Sequence, residues 1–216
     1  MGAKRKPTTA DRILDTAERL LQERGFNAFS YADISEALGI QKASLHHHFG
    51  TKADLGLALI DRYRHDFDDA LREIEAATED APGRLERYVA LYGSVLRKKR
   101  MCMCGMLAAE VATLPKGMRE SVAAFFTDNE AWLGRVLDQG REEGSLEFSG
   151  PAESMASFFV SSLEGAMLVA RGSGSSDYFD TVAKRLLERS HPRKAKQGAS
   201  AHRSPRRLRR FSSPRT

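Results

Sequence analysis

SYADISEALGIQKASLHHHFGTK, residues 30–52, reads as a helix, a tight turn and a second short helix. Ser30 is a good N-cap, and Asp33 three residues on completes a capping box. Ile34, Ala37 and Leu38 then share one helical face. Gly39 stops that helix, because glycine tolerates the left-handed backbone a sharp turn needs. Ile40 plugs the angle between the helices. Gln41, Lys42, Ala43 and Ser44 open the second helix, and Leu45 and Phe49, four apart, anchor it to a core. Two helices joined this way fit a DNA major groove, with the start of the second helix against the base edges.

The flanking sequence extends the picture. Thr8 caps a first helix over about 9–24, with Ile13, Ala17, Leu20 and Leu21 as its buried stripe and Gly25 as its stop. After Thr51, apolar residues recur every three or four positions from Leu55 through Leu59, Tyr63, Phe67 and Leu71 to Ile74, predicting a long connecting helix. Residues 77–83, ATEDAPG, break it. Further helices are predicted over about 85–96, 101–111, 118–141, 152–171 and 176–190, with Pro115 ending the fourth of the chain's longer segments and Pro151 opening the helix at 152. No window shows strand alternation and no internal repeat is evident. The expected fold is all-α with about nine helices. A helix-turn-helix domain (1–52) precedes a helical domain (53–190) and a basic tail (191–216).

ILDTAERLLQERGFNAFSYADISEALGIQKASLHHHFGTKADL, residues 13–55, resembles the N-terminal domain of TetR-family transcriptional regulators. The carriers are the amphipathic first helix ending in ERGF, the ISEALGI turn, the HHF end of the second short helix and the KADL that follows. The resemblance covers about residues 9–60. It implies an operator-binding, ligand-responsive repressor that acts as a homodimer on two half-sites. The implied DNA-contacting set is Ser30, Tyr31, Gln41, Lys42, Ala43, Ser44, His46, His47 and Lys52. Residues 41–44 would read bases, while His46, His47 and Lys52 would hold phosphates. The family usually has a tyrosine where this chain has His46.

The segment 152–171 is apolar on more than one side, so it needs partners on more than one side. With the last helix it is the expected dimer interface, through Phe159, Leu163, Met167, Phe179, Val182, Leu186 and Leu187. An effector pocket is expected among the middle helices, with Tyr88, Tyr92, Cys102, Met103, Met106, Phe125, Phe126 and Trp132 as adaptable aromatic and sulfur-bearing walls. Cys102 and Cys104 admit two readings. Unpaired cysteines are commonly core residues. Alternatively, the run Arg97-Lys98-Lys99-Arg100 lowers a thiol pKa and makes a sensor of oxidants or electrophiles.

Composition excludes several classes. Two cysteines two positions apart make no disulfide framework, so a reduced, cytoplasmic setting is expected. No run of about 18 apolar residues exists, so no membrane partner is expected, and MGAKRKPTTA lacks the apolar stretch of a secretory signal. His46, His47 and His48 are consecutive and fan out around a helix, so no metal site is expected. No nucleophile–base motif or glycine-rich phosphate loop appears. No enzyme and no cofactor are therefore expected. The net charge is +5, but the tail 191–216 holds nine cations and no acid, leaving 1–190 at −4. The tail reads as a solvated extension, as a non-specific nucleic-acid arm, or as the product of a shifted reading frame. Against the ligand-responsive repressor stand a constitutive or architectural DNA-binding dimer and, more remotely, an all-α enzyme.

Overall fold

A computed structural model describes residues 6–190; the basic tail lies outside them. Among the described residues are nine α-helices and no strand. They are α1 (Thr9–Arg24), α2 (Tyr31–Leu38), α3 (Lys42–His48), α4 (Lys52–Ala77), α5 (Ala81–Arg97), α6 (Met103–Ala109), α7 (Lys116–Glu142), α8 (Ala152–Ser173) and α9 (Asp177–Ser190).

Three of these helices begin with the same device. Thr8 with Asp11, Ser30 with Asp33, and Thr51 with Asp54 each form a complete capping box. Each satisfies backbone N–H groups that the first turn leaves without partners, and a cap of this kind is worth about 1 kcal/mol. Gly39 ends α2 at φ 64°, ψ 33°, the left-handed region where glycine is unstrained.

Two apolar cores interlock. The first packs Ile13, Leu21, Ile34 and Leu45 of α1–α3 against Leu55, Leu59 and Ile60 of α4. It also takes in Met103 and Leu107 of α6 and Met118 and Val122 of α7. The second packs the C-terminal half of α4 against α5, α7, α8 and α9. The first core thus draws in residues that sequence reading placed in the C-terminal domain. Arg62 of α4 adds ion pairs to Asp15 (2.7 Å) and Glu18 (2.6 Å) of α1.

α6 departs from expectation. It spans seven residues rather than the whole of 101–111, and a 3-10 turn (Val111–Thr113) follows. Pro115 stands at the N-cap of α7 instead of terminating α6. The short helix serves both cores: Met103 and Leu107 face the first, Cys102 and Cys104 the second.

Candidate nucleic-acid interface and effector domain

α3 carries one fully buried side chain, Leu45, which fixes it to the first core. Gln41 stands at its N-cap and makes no side-chain capping bond. Gln41, Lys42, Ala43, His46 and His47 are exposed, and Ser44 is half-buried. The outer surface of α3 is thus a short row of hydrogen-bonding and small side chains held on a rigid two-helix frame. That is what reading base edges requires.

Other residues expected at DNA are engaged inside the domain. The Ser30 hydroxyl belongs to the α2 cap, bonded to Asp33 and Ala32. The Tyr31 hydroxyl faces the carbonyls of Phe49 (2.8 Å) and Thr51 (2.7 Å), tying the end of α3 to the start of α4. His46 packs on the Tyr31 ring at 4.8 Å between centroids, with Nδ1 3.1 Å from the Gly50 carbonyl. That oxygen only accepts, so the bond places the proton on Nδ1. A phosphate contact from Nε2 then requires the imidazolium.

Lys52, expected at a phosphate, is engaged inside the domain. Its ammonium turns inward and donates to the carbonyls of Phe26 (2.6 Å) and Phe29. It also lies 4.6 and 4.5 Å from the centroids of those two rings. Burial pushes its pKa down, against the pull of Glu110 and Asp33. The lysine closes the α1–α2 turn from within. Lys52→Met should therefore destabilise the chain by about 1–2 kcal/mol through two unsatisfied carbonyls. The slope of DNA affinity against salt should stay unchanged. Denaturant unfolding together with a salt titration checks both; a slope flattened by about one unit would restore the phosphate role.

The expected effector residues divide. Tyr88, Tyr92, Phe125 and Trp132 are buried in one aromatic cluster. Tyr88 stacks on Trp132 at 5.6 Å and donates to Asn129 (2.7 Å), whose amide donates to Tyr92 (3.0 Å). Two cavities flank the cluster. One, of 510 Å³, lies between α4 and α7 and touches Phe67, Phe125 and Trp132. The other, of 330 Å³, is lined by Tyr63, Phe67, Leu91, Tyr92, Cys102 and Met167 among others. Tyr88, at the centre of the cluster, lines neither, and the same holds for Met103, Met106 and Phe126. Met103 is drawn into the first core, and Met106 and Phe126 are packed between the cores.

Sequence reasoning missed Glu164. On α8 it follows Ala156 and Val160 at intervals of four, so an acid occupies the buried stripe. That spacing was the available signal. Its stem is half-exposed, but its carboxyl is enclosed. Oε1 has no hydrogen-bond partner. Oε2 lies so close over Gly105 that a Cβ there would fall 2.3 Å away. Burial raises the Glu164 pKa to about 7, although a bond from the Cys102 thiol opposes the rise.

The thiols do not have the depressed pKa that the basic run would confer. Cys102 and Cys104 are buried, and desolvation first, then the Glu164 carboxylate, push both thiols up. The Cys102 sulfur caps α6, accepting from the Gly105 N–H at 3.4 Å.

The residues expected at the dimer interface lie on the inner side of α8 and α9. Phe159, Leu163, Met167, Phe179 and Leu186 are buried within the chain's own second core, and Val182 and Leu187 pack against it. The open face of α8 instead presents Phe158, Leu168 and Val169, and α9 adds Tyr178.

A two-helix reading head on a helical body with solvent-open cavities is the architecture of a DNA-binding regulator. The comparisons with known proteins identify the kind. A family model described as bacterial regulatory proteins of the tetR family matches residues 13–59. A tetracyclin repressor-like C-terminal domain model matches residues 81–186. The chain belongs to the TetR family of transcriptional regulators. It is 30% identical over 158 residues to the transcriptional regulator AcuR of Cereibacter sphaeroides, covering 70% of this chain and 71% of that one. To the repressor NemR of Escherichia coli it is 27% identical over 173 residues, covering 77% and 86%. A TetR-family regulator from Agrobacterium tumefaciens superposes with a TM-score of 0.82 at 36% identity, covering 85% of this chain and 97% of that one. The reduced form of NemR superposes with a TM-score of 0.74 at 26% identity, covering 85% and 97%. Among the described residues, no helix is long and apolar enough to cross a membrane.

Proposed function

We propose that this regulator is a homodimeric repressor that holds an operator through two copies of α3 and releases it when a small molecule enters the C-terminal helical domain. The observation that carries this reading is the outer surface of α3, fully presented on a frame that buries only Leu45. Gln41 suits adenine, Lys42 suits guanine, and Ala43 or Ser44 fits a thymine methyl. Pairing through α8 and α9 would set two reading heads about one helical turn of DNA apart. A repressor acting in this way would work in the cytoplasm.

The 330 Å³ cavity is the effector site of this proposal, since its size suits a small molecule and its walls are mostly apolar. Its wall residue Cys102 caps α6, and α6 reaches the reading head. Glu110, just beyond α6, accepts from the Asn27 amide (3.1 Å) at the α1–α2 turn, and Asn27 donates to Thr113 (2.8 Å). An effector acts by binding the DNA-incompetent arrangement more tightly. The cavities beside the aromatic cluster favour this reading over a constitutive dimer. Cys102 in the wall also supports a covalent variant. An α,β-unsaturated carbonyl compound entering the cavity would form a carbon–sulfur bond at the Cys102 Sγ as its C=C π bond breaks, and the thiol proton would pass by way of Glu164 to the α-carbon, giving a neutral thioether.

The test is selection of binding sites from random duplex DNA by the full chain. Wild type should enrich an inverted repeat. Gln41→Ala should change the preferred half-site while keeping the spacing. No enrichment by wild type would end the operator reading; an unchanged half-site would end the role of Gln41.

A further inference from the structure

The basic run that the sequence set beside the thiols has another setting. Arg97, Lys99 and Arg100 meet Arg171 around a 490 Å³ cavity between the end of α5 and the α8–α9 turn, with Leu96 and Met101 among its apolar walls. No carboxylate lines it. Elsewhere on this body Arg62, Arg64, Arg72, Arg141 and Arg185 each hold an acid, while other arginines, such as Arg84 and Arg119, bond neutral oxygens singly rather than gathering around one cavity. Among the described residues, Arg97, Lys99, Arg100 and Arg171 take part in no ion pair. Arg171 donates to two neutral carbonyls, those of Gln22 (3.2 Å) and Glu23. Lys99 occupies a left-handed backbone position, φ 59°, where glycine is the unstrained choice. Four cationic residues line one cavity with no carboxylate among them, and like charges gathered in this way favour an anion there.

We propose that this cavity binds an organic polyanion, a phosphate ester or diphosphate with an apolar body. Arginine forks match phosphate oxygens, and several cations answer several negative charges. Leu96 and Met101 offer hydrocarbon surface to the remainder of the molecule. Operator phosphates do not fit the position. Arg171 grips the last turn of α1, whereas Arg12, ten residues earlier, reaches the Leu38 carbonyl beside the α2–α3 turn. Those ends of α1 are roughly 15 Å apart. The same geometry gives the site a consequence that rests on the repressor reading: an anion that draws Arg171 toward itself loosens the body's hold on α1.

Isothermal titration of the full chain at constant ionic strength tests the binding claim, with inorganic pyrophosphate and geranyl diphosphate as probes. Both should saturate one site per chain, and geranyl diphosphate should bind about tenfold more tightly through its apolar body. Arg97→Gln with Arg100→Gln should weaken both probes by about tenfold or more. Lys99→Gly, which the backbone accommodates, should weaken them too. Arg87→Gln removes the same charge from an exposed position on α5 that lines none of these cavities, and should change neither. Non-saturating binding by wild type, or an equal loss in Arg87→Gln, would overturn the site. Equal affinity for the two probes would overturn the apolar body. No readout involves DNA, so failure here leaves the operator reading standing, and failure of site selection leaves this one standing.

Discussion

Glu164→Gln is expected to raise the unfolding free energy near pH 8 by about 3 kcal/mol and to leave it nearly unchanged at pH 4. The enclosed carboxyl has its pKa raised from 4.5 to about 7 by burial. An unfolded chain releases the proton near pH 4.5, but the folded chain holds it until about pH 7. Stability from this group is therefore complete below pH 4.5, declines between 4.5 and 7, and is absent above. Glutamine keeps the shape without the charge and so removes the high-pH penalty. In a chain of this size the gain corresponds to a rise in Tm of about 6–10 °C. Denaturant melts of both proteins across pH 4–8 give the answer. A gain of the same size at every pH would assign the effect to packing, and no gain at pH 8 would mean the carboxyl is solvated.

The pattern of what was legible follows from the range of each interaction. Capping boxes, the Gly39 stop and the Leu45 anchor involve residues within a few positions of one another. Local spacing therefore announces them. The inward turn of Lys52 is not legible because its partners, the carbonyls of Phe26 and Phe29, lie more than twenty residues back. Nothing in the KADL motif reveals a backbone acceptor. The division of the expected effector residues between cavity and core is hidden for a related reason. Met103 and Cys102 are neighbours of the same apolar character, yet one turns to the reading head and the other to the body. Only the bridging position of α6 decides between them. Closeness in sequence sets the basic run beside the thiols, whereas the turn at Lys99 carries Arg97, Lys99 and Arg100 to Arg171 and leaves Lys98 on the cavity that Cys102 lines. The breadth of α8's apolar surface was legible. Which side faces the body was not, because both sides carry phenylalanine.

That last distinction carries the largest expected effect on function. Phe158, Ser161, Gly165, Leu168, Val169 and Gly172 fall within roughly 100° of helical arc, on the side of α8 away from Phe159, Leu163 and Met167. Leu168 is 63% exposed, Phe158 46% and Val169 44%, while Phe159, Leu163 and Met167 are fully enclosed. Small residues between the large ones let a second helix approach closely, and Tyr178 of α9 extends the patch. A contiguous apolar face of this kind fits burial against its own copy under two-fold symmetry. Phe158→Glu with Leu168→Glu should therefore give a folded monomer, because four charges would meet across the pair at no cost to the core. Operator affinity should fall on the order of 10²-fold or more as the second reading head ceases to be tethered. Phe159→Glu should instead unfold the chain, because it buries an unpaired charge. Sedimentation and circular dichroism separate the cases. A double mutant that remains a dimer would move the interface elsewhere, and a Phe159→Glu chain that folds as a monomer would return it to the opposite side of α8.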